Sequence, residues 1–133
     1  DGATNLAEFA FNGDPRNGAS SGMFDHHPAA GGDGDLTPEL TFTCAARRGA
    51  VFSPNADSAQ MSLLIDGLVY TVEGSRSLAG PWDGTVNHQG TSDTAPAGSG
   101  LPDLTGTGWQ YHHFSAFSGL PGSGFLRAAV AKP

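Results

Sequence analysis

Cysteine is almost missing from this chain. Cys44 is the only one in 133 residues, so an internal disulfide is excluded. Positive charge is scarce too. Six Lys and Arg stand against 13 Asp and Glu, and the net charge of −7 argues against nucleic acid or an anionic membrane as partner. No run approaches the ~18 apolar residues of a membrane span. Covalent haem lacks its Cys-x-x-Cys-His. Charged residues make up only 14% of the chain, against 20 Gly and 9 Pro. That balance suits an all-β chain with long loops and suits a helical bundle poorly. By length we expect one domain, 1–133, large enough for a core without staples. No signal peptide is seen and Asp1 is a poor translation start, so we expect sequence upstream and an extracellular or cell-surface location.

What is present reads mostly as short strands. Leu40, Phe42 and Cys44 alternate with Thr41 and Thr43, which predicts a half-buried strand and a buried thiol at Cys44. Residues 61–65 and 68–74 read as strands joined by Asp66-Gly67, the strongest short hairpin signal. Residues 109–117 and 125–131 are two further strands, with a turn at Leu120-Pro121-Gly122 between them. Residues 16–38 read as an ordered loop or a short hairpin around 22–27, and 84–108 mainly as loop with a strand near 85–88. The sum is an antiparallel β-sandwich over 16–133, immunoglobulin-like or jelly-roll in outline. One short helix over 6–12 precedes it. Leu6, Phe9 and Ala10 form its apolar face, expected to dock on the sandwich, and Gly13 stops it.

The start of the chain carries a motif. Asp1, Gly2, Ala3, Asn5 and Glu8 follow the second half of an EF-hand-type loop: an acid, the obligatory Gly, a carbonyl, a polar group and a closing carboxylate. Calcium is therefore the one candidate cofactor, with Asp1, Ala3, Asn5 and Glu8 as its ligands. The metal-free alternative is an acidic helix N-terminus capped by Thr4 or Asn5. Asp33-Gly34-Asp35 is a second carboxylate loop that could take calcium through Asp33 and Asp35, or be a plain turn.

Asp-Gly-x-x-Asn-Leu-x-Glu-Phe-x-x-x-Gly-Asp-Pro, from Asp1 to Pro15, resembles the lead-in of a module that ends many large secreted bacterial proteins. The same Asp-Gly-x-x-Asn pattern occurs in dockerin and thrombospondin type 3 repeats. Three later phrases extend the resemblance: Tyr-Thr-Val-Glu-x-Ser-x-x-Leu at 70–78 with Trp82 soon after, Trp-x-Tyr-x-x-Phe at 109–114, and Phe-Leu-Arg-x-x-Val at 125–130. It implies an antiparallel β module with no enzymatic activity to carry over.

Three constellations bear on chemistry. Gly18-Ala19-Ser20-Ser21-Gly22 matches a nucleophile elbow but lacks the flanking strand and helix, so chance explains it. His26, His27, His88, His112 and His113 could supply a zinc or copper site, although neighbours on a strand point to opposite faces and each pair can give only one ligand. The alternative is five imidazoles that are exposed or hydrogen-bonded. Trp82 could stack on a sugar, while Trp109 reads as core and Arg127 as a rim charge or the partner of an Asp.

These readings favour a non-enzymatic extracellular module for structure, attachment or assembly. Its partners would be other protein subunits, copies of itself, or a cell-surface polymer, with no nucleic acid and no membrane span. A carbohydrate-binding module built on Trp82 is the second expectation, and a histidine-based metal protein the third.

Overall fold

The computed structural model describes residues 5–13, 23–30, 38–116 and 124–133. In chain order they form helix α1 (Asn5–Ala10) and strands β1 (Phe24–Ala30), β2 (Pro38–Arg47), β3 (Phe52–Pro54), β4 (Gln60–Ser62), β5 (Val69–Ser75), β6 (Val86–Ser92), β7 (Trp109–Ala116) and β8 (Phe125–Ala131). Two four-stranded antiparallel sheets pack together, one ordered β1-β2-β7-β6 and the other β3-β4-β5-β8. The first order is the A-B-E-D order of an immunoglobulin sandwich, and the β5–β8 pair takes the place of strands C and F. The chain thus sides with the immunoglobulin-like outline over the jelly roll.

Period-two patterning explains the layers. Phe42, Cys44 and Ala46 of β2, Phe114 and Ala116 of β7 and Val86 of β6 turn inward. They meet Tyr70 and Val72 of β5, with Leu126, Ala128 and Val130 of β8 half-buried against them. Val72, Val86 and Phe114, almost fully buried, contribute roughly 1.5–3 kcal/mol each. Burial raises the Cys44 thiol far above its usual range, leaving an inert core sulfur.

The opposite parity of the first sheet carries a second cluster. Ala45 and Tyr111 face out from it and are covered by Leu104, with Leu101 and Trp109 alongside. Residues 93–108 are held over this face by Arg48. Its Nε donates to Thr107 O at 2.8 Å. Its Nη2 lies 2.7 Å from Asp93 Oδ1, 3.0 Å from Leu104 O and 2.9 Å from Trp109 O. The Tyr111 hydroxyl donates to Pro102 O at 2.6 Å.

Several local expectations change. The Asp66-Gly67 turn forms, both residues having positive φ (50° and 77°), as a two-residue type I′ hairpin turn requires. The strand before it is shorter than 61–65, however: β4 ends at Ser62, and Leu63 and Leu64 are exposed. A seven-residue strand, β6, occupies the stretch read mostly as loop, with a bulge between His88 and Gly90. The 22–27 hairpin becomes strand β1, paired with β2.

Leu6 and Ala10 of the apolar stripe pack on the core as expected, but Phe9 does not. Phe9 is 45% exposed, whereas Phe11 is 2% exposed and packs edge-on against Tyr70. Helix α1 stops at Ala10, short of the expected residue 12. Phe11, in the turn that follows, swings into the core. The Tyr70 hydroxyl donates to Ala10 O at 2.7 Å and accepts from Arg47 N at 3.0 Å, tying the helix end to the sheet.

Candidate functional site

Of the predicted site residues, Asp1 and Ala3 of the calcium half-loop lie outside the described residues, as do Asp33, Asp35 and the 18–22 elbow. Asn5 and Glu8 belong to α1, and His26 and His27 to β1, where they pair with Phe42 and Thr41 of β2. The remaining histidines separate by strand parity. His112 turns into the sandwich and is 1% exposed. His113, its neighbour, turns to the opposite face of the first sheet.

His88 and His112 come together. His88 Nε2 lies 3.1 Å from His112 Nδ1, and Phe52 of β3 packs on both rings with centroids 5.7 and 4.9 Å away. His112 Nε2 is buried without a partner. In the His88–His112 contact one ring nitrogen donates its proton and the other accepts it. Burial lowers the pKa of His88, and lowers that of His112 to about 4 with help from the nearby imidazoles, so both rings are neutral at pH 7. No group of three or more His, Cys, Asp or Glu converges as a metal site among the described residues.

His113 lies in a different network. The Ser92 hydroxyl is 2.6 Å from Thr94 O and 2.7 Å from His113 Nε2. A carbonyl only accepts, so the Ser92 proton goes to Thr94 O and His113 Nε2 donates to Ser92. His113 Nδ1 then accepts from the Thr43 hydroxyl at 2.8 Å. This Ser–His contact therefore runs opposite to a nucleophile and its base: the serine oxygen receives a proton instead of losing one.

A solvent-facing cleft of about 420 Å³ lies along β8, lined by Leu40, Leu78, Trp82, Phe125, Leu126 and Arg127 with Gly124. Register places Arg127 opposite Glu73 on the β5–β8 pair, and Arg127 Nε donates to Glu73 Oε1 at 2.6 Å. The expected Asp partner is thus a Glu. The guanidinium also lies 3.7 Å over the Trp82 ring. Trp82 is delivered by a turn that the buried Ser75 holds. Its hydroxyl lies 2.6 Å from Ser77 O and 2.7 Å from Pro81 O and accepts from Ser77 N. Gly80 in this turn has φ 84°, and a Cβ there would come within 3.3 Å of the Trp82 ring. Glu73, Leu78, Trp82 and Arg127 come from two sequence phrases that lie far apart in the chain and converge here.

Trp109, read as core, is only partly buried, with Arg47 stacked 4.4 Å over its ring and Phe9 at its edge. Arg47 also pairs with Asp66 at 2.8 Å. A further feature had no sequence signal. Val51, Met61, Leu63 and Leu64 are 41–67% exposed around β3 and β4, and Leu63 N donates to Val51 O. Apolar residues beside an edge strand read as strand interior from sequence, and only the early end of β4 exposes them.

Comparison with known proteins finds no matching family model, curated protein or solved structure. No helix among the described residues is long and apolar enough to cross a membrane.

Proposed function

We propose that this chain is a non-enzymatic extracellular module for attachment or assembly, resembling the C-terminal β-sandwich module of large secreted bacterial proteins. The observation that carries this reading is the group of exposed apolar residues Val51, Met61, Leu63 and Leu64 beside β3, one of the two edge strands of its sheet. Grouped exposed apolar side chains mark protein contacts, and an edge strand offers unpaired backbone groups to a partner. The polar side chains between and outside the sheets fit the same reading, because His88 pairs with His112 and Ser92 with His113. The partner is a second copy of the module or a neighbouring subunit.

Sedimentation of the chain and of a Leu63→Asp/Leu64→Asp variant tests this. The wild type associates with itself or with its parent protein; the variant stays monomeric with an unchanged melting temperature. A wild-type chain that remains monomeric up to about millimolar concentration, and attaches to the producing cell no better than the variant, would refute the reading.

The cleft beside Trp82 favours a second reading, binding of a small ligand.

A further inference from the structure

We infer that the cleft along β8 binds an apolar carboxylate, with Arg127 as the anchor for the acid group. The first support is the character of its wall. Leu40, Leu78, Phe125 and Leu126 are apolar, and Arg127 is the only charged residue among the described lining. The volume of about 420 Å³ falls within the ~300–1,000 Å³ of small-molecule sites.

The second support is how Arg127 is held. Its Nε is engaged by Glu73, and its plane lies on Trp82. Both contacts fix the guanidinium, yet its side chain is 51% exposed. Its two terminal nitrogens have no hydrogen-bond partner among the described residues. A guanidinium oriented in this way presents a flat donor pair that matches a carboxylate bidentately. Glu73 occupies a different edge, so a second carboxylate completes the fork without displacing the first.

The third support is what the site lacks for a sugar. The Trp82 face under Arg127 is taken, and a ring stacked there would have to break the Arg127–Glu73 pair. No Asp, Asn, Glu or Gln lines the described cleft to receive hydroxyl groups. An apolar body with one carboxylate meets every group that is present. The chemistry is shared by a free acid and by the C-terminus of a polypeptide ending in an apolar residue.

This proposal does not depend on the patch at Leu63 and Leu64, so its failure leaves the assembly reading standing. The test is titration of the whole chain, followed by backbone amide shifts, with 3-phenylpropionate, 3-phenylpropionamide, methyl glucoside, and a tripeptide ending in Leu with a free or an amidated terminus. The free acids are expected to shift residues 78, 82 and 125–127 and to bind at least tenfold more tightly than their amides. The stronger of the free acid and the free-ended peptide identifies the source. Arg127→Gln should abolish the preference for acid over amide. Leu78→Asp places a carboxylate at the rim on a residue 71% exposed, where folding is undisturbed, and should weaken the acids tenfold. Equal binding of acid and amide, binding of methyl glucoside in preference to the acids, or no shift at these residues overturns the proposal.

Discussion

His112 Nδ1 lies 3.1 Å from His88 Nε2, and the two neutral rings share one proton under the ring of Phe52. His112 lies between the sheets, where a charge is poorly solvated. A phenyl face on one side and a partner that is itself an imidazole leave little to stabilise a cation.

The first prediction is a loss of stability in mild acid. The folded pKa of His112, about 4, lies below its ordinary 6.5, so as pH falls the unfolded chain takes up the proton first. The stability is whole above pH ~6.5, falls progressively between ~6.5 and ~4, and the loss is complete below that. It amounts to about 3 kcal/mol at most. Urea midpoints taken from pH 8 to pH 4 should show this slope. In His112→Phe the slope should shrink, and His88, half-exposed, can find water instead. An unchanged slope in that variant would place the acid sensitivity elsewhere.

A second prediction reverses the order of the two N-terminal phenylalanines. Phe11 is 2% exposed and packs on Tyr70, so Phe11→Ala should destabilise by about 3–5 kcal/mol. Phe9 is 45% exposed and meets Trp109 and Arg47, so Phe9→Ala should cost about 1 kcal/mol or less. Thermal melts of both variants decide it. A larger loss from Phe9 would restore the helical stripe as the docking face.

The contrast shows what the sequence could and could not convey. Alternation at 40–45 and 69–73 and the Asp66-Gly67 turn are local signals with a local cause, and they located β2, β5 and the hairpin between β4 and β5. The Leu6, Phe9, Ala10 stripe is local too, and it placed Leu6 and Ala10 on the core, but a six-residue helix ends before the chain turns, and Phe11 takes the inner place expected of Phe9. β6 was legible only at its start, near 85–88, because Gln89, Gly90 and Thr91 look like loop and the bulge at Gln89 breaks the period beyond it. The His88–His112 contact depends on how β6 and β7 pair, and the cleft on residues from separate strands and a turn. Neither leaves a mark in any one window of sequence.

Tyr70→Phe should loosen the N-terminus. It removes a donor from Ala10 O and an acceptor from Arg47 N, both inside the sandwich. Burial pushes the phenol up to about 12, so the hydroxyl stays a donor throughout the working pH range. The loss should be about 1–3 kcal/mol. Hydrogen exchange should quicken most at the amides of Phe11 and Arg47. Uniform quickening over the whole chain would mean that the hydroxyl supports the core in general and not the helix junction.

The last prediction concerns Arg48, which closes residues 93–108 over the outer face of the first sheet. Its guanidinium reaches the carbonyls of Thr107, Leu104 and Trp109 and the carboxylate of Asp93. A planar fork can serve four acceptors spread over one loop, and an ammonium cannot. Arg48→Lys keeps the charge and the ion pair with Asp93 within reach, so a purely electrostatic role would survive it. The side chain is about one-third exposed, and that ion pair alone contributes little. We therefore expect Arg48→Lys to behave nearly like Arg48→Ala, each losing about 1–3 kcal/mol with the charge-assisted hydrogen bonds to the carbonyls. The opening should be local. Leu104 and Tyr111 form the cluster beneath this loop, so exchange at the Leu104 and Thr107 amides should rise while β5 and β8 stay protected. Full rescue by lysine would show that charge, and not the fork, holds the loop in place.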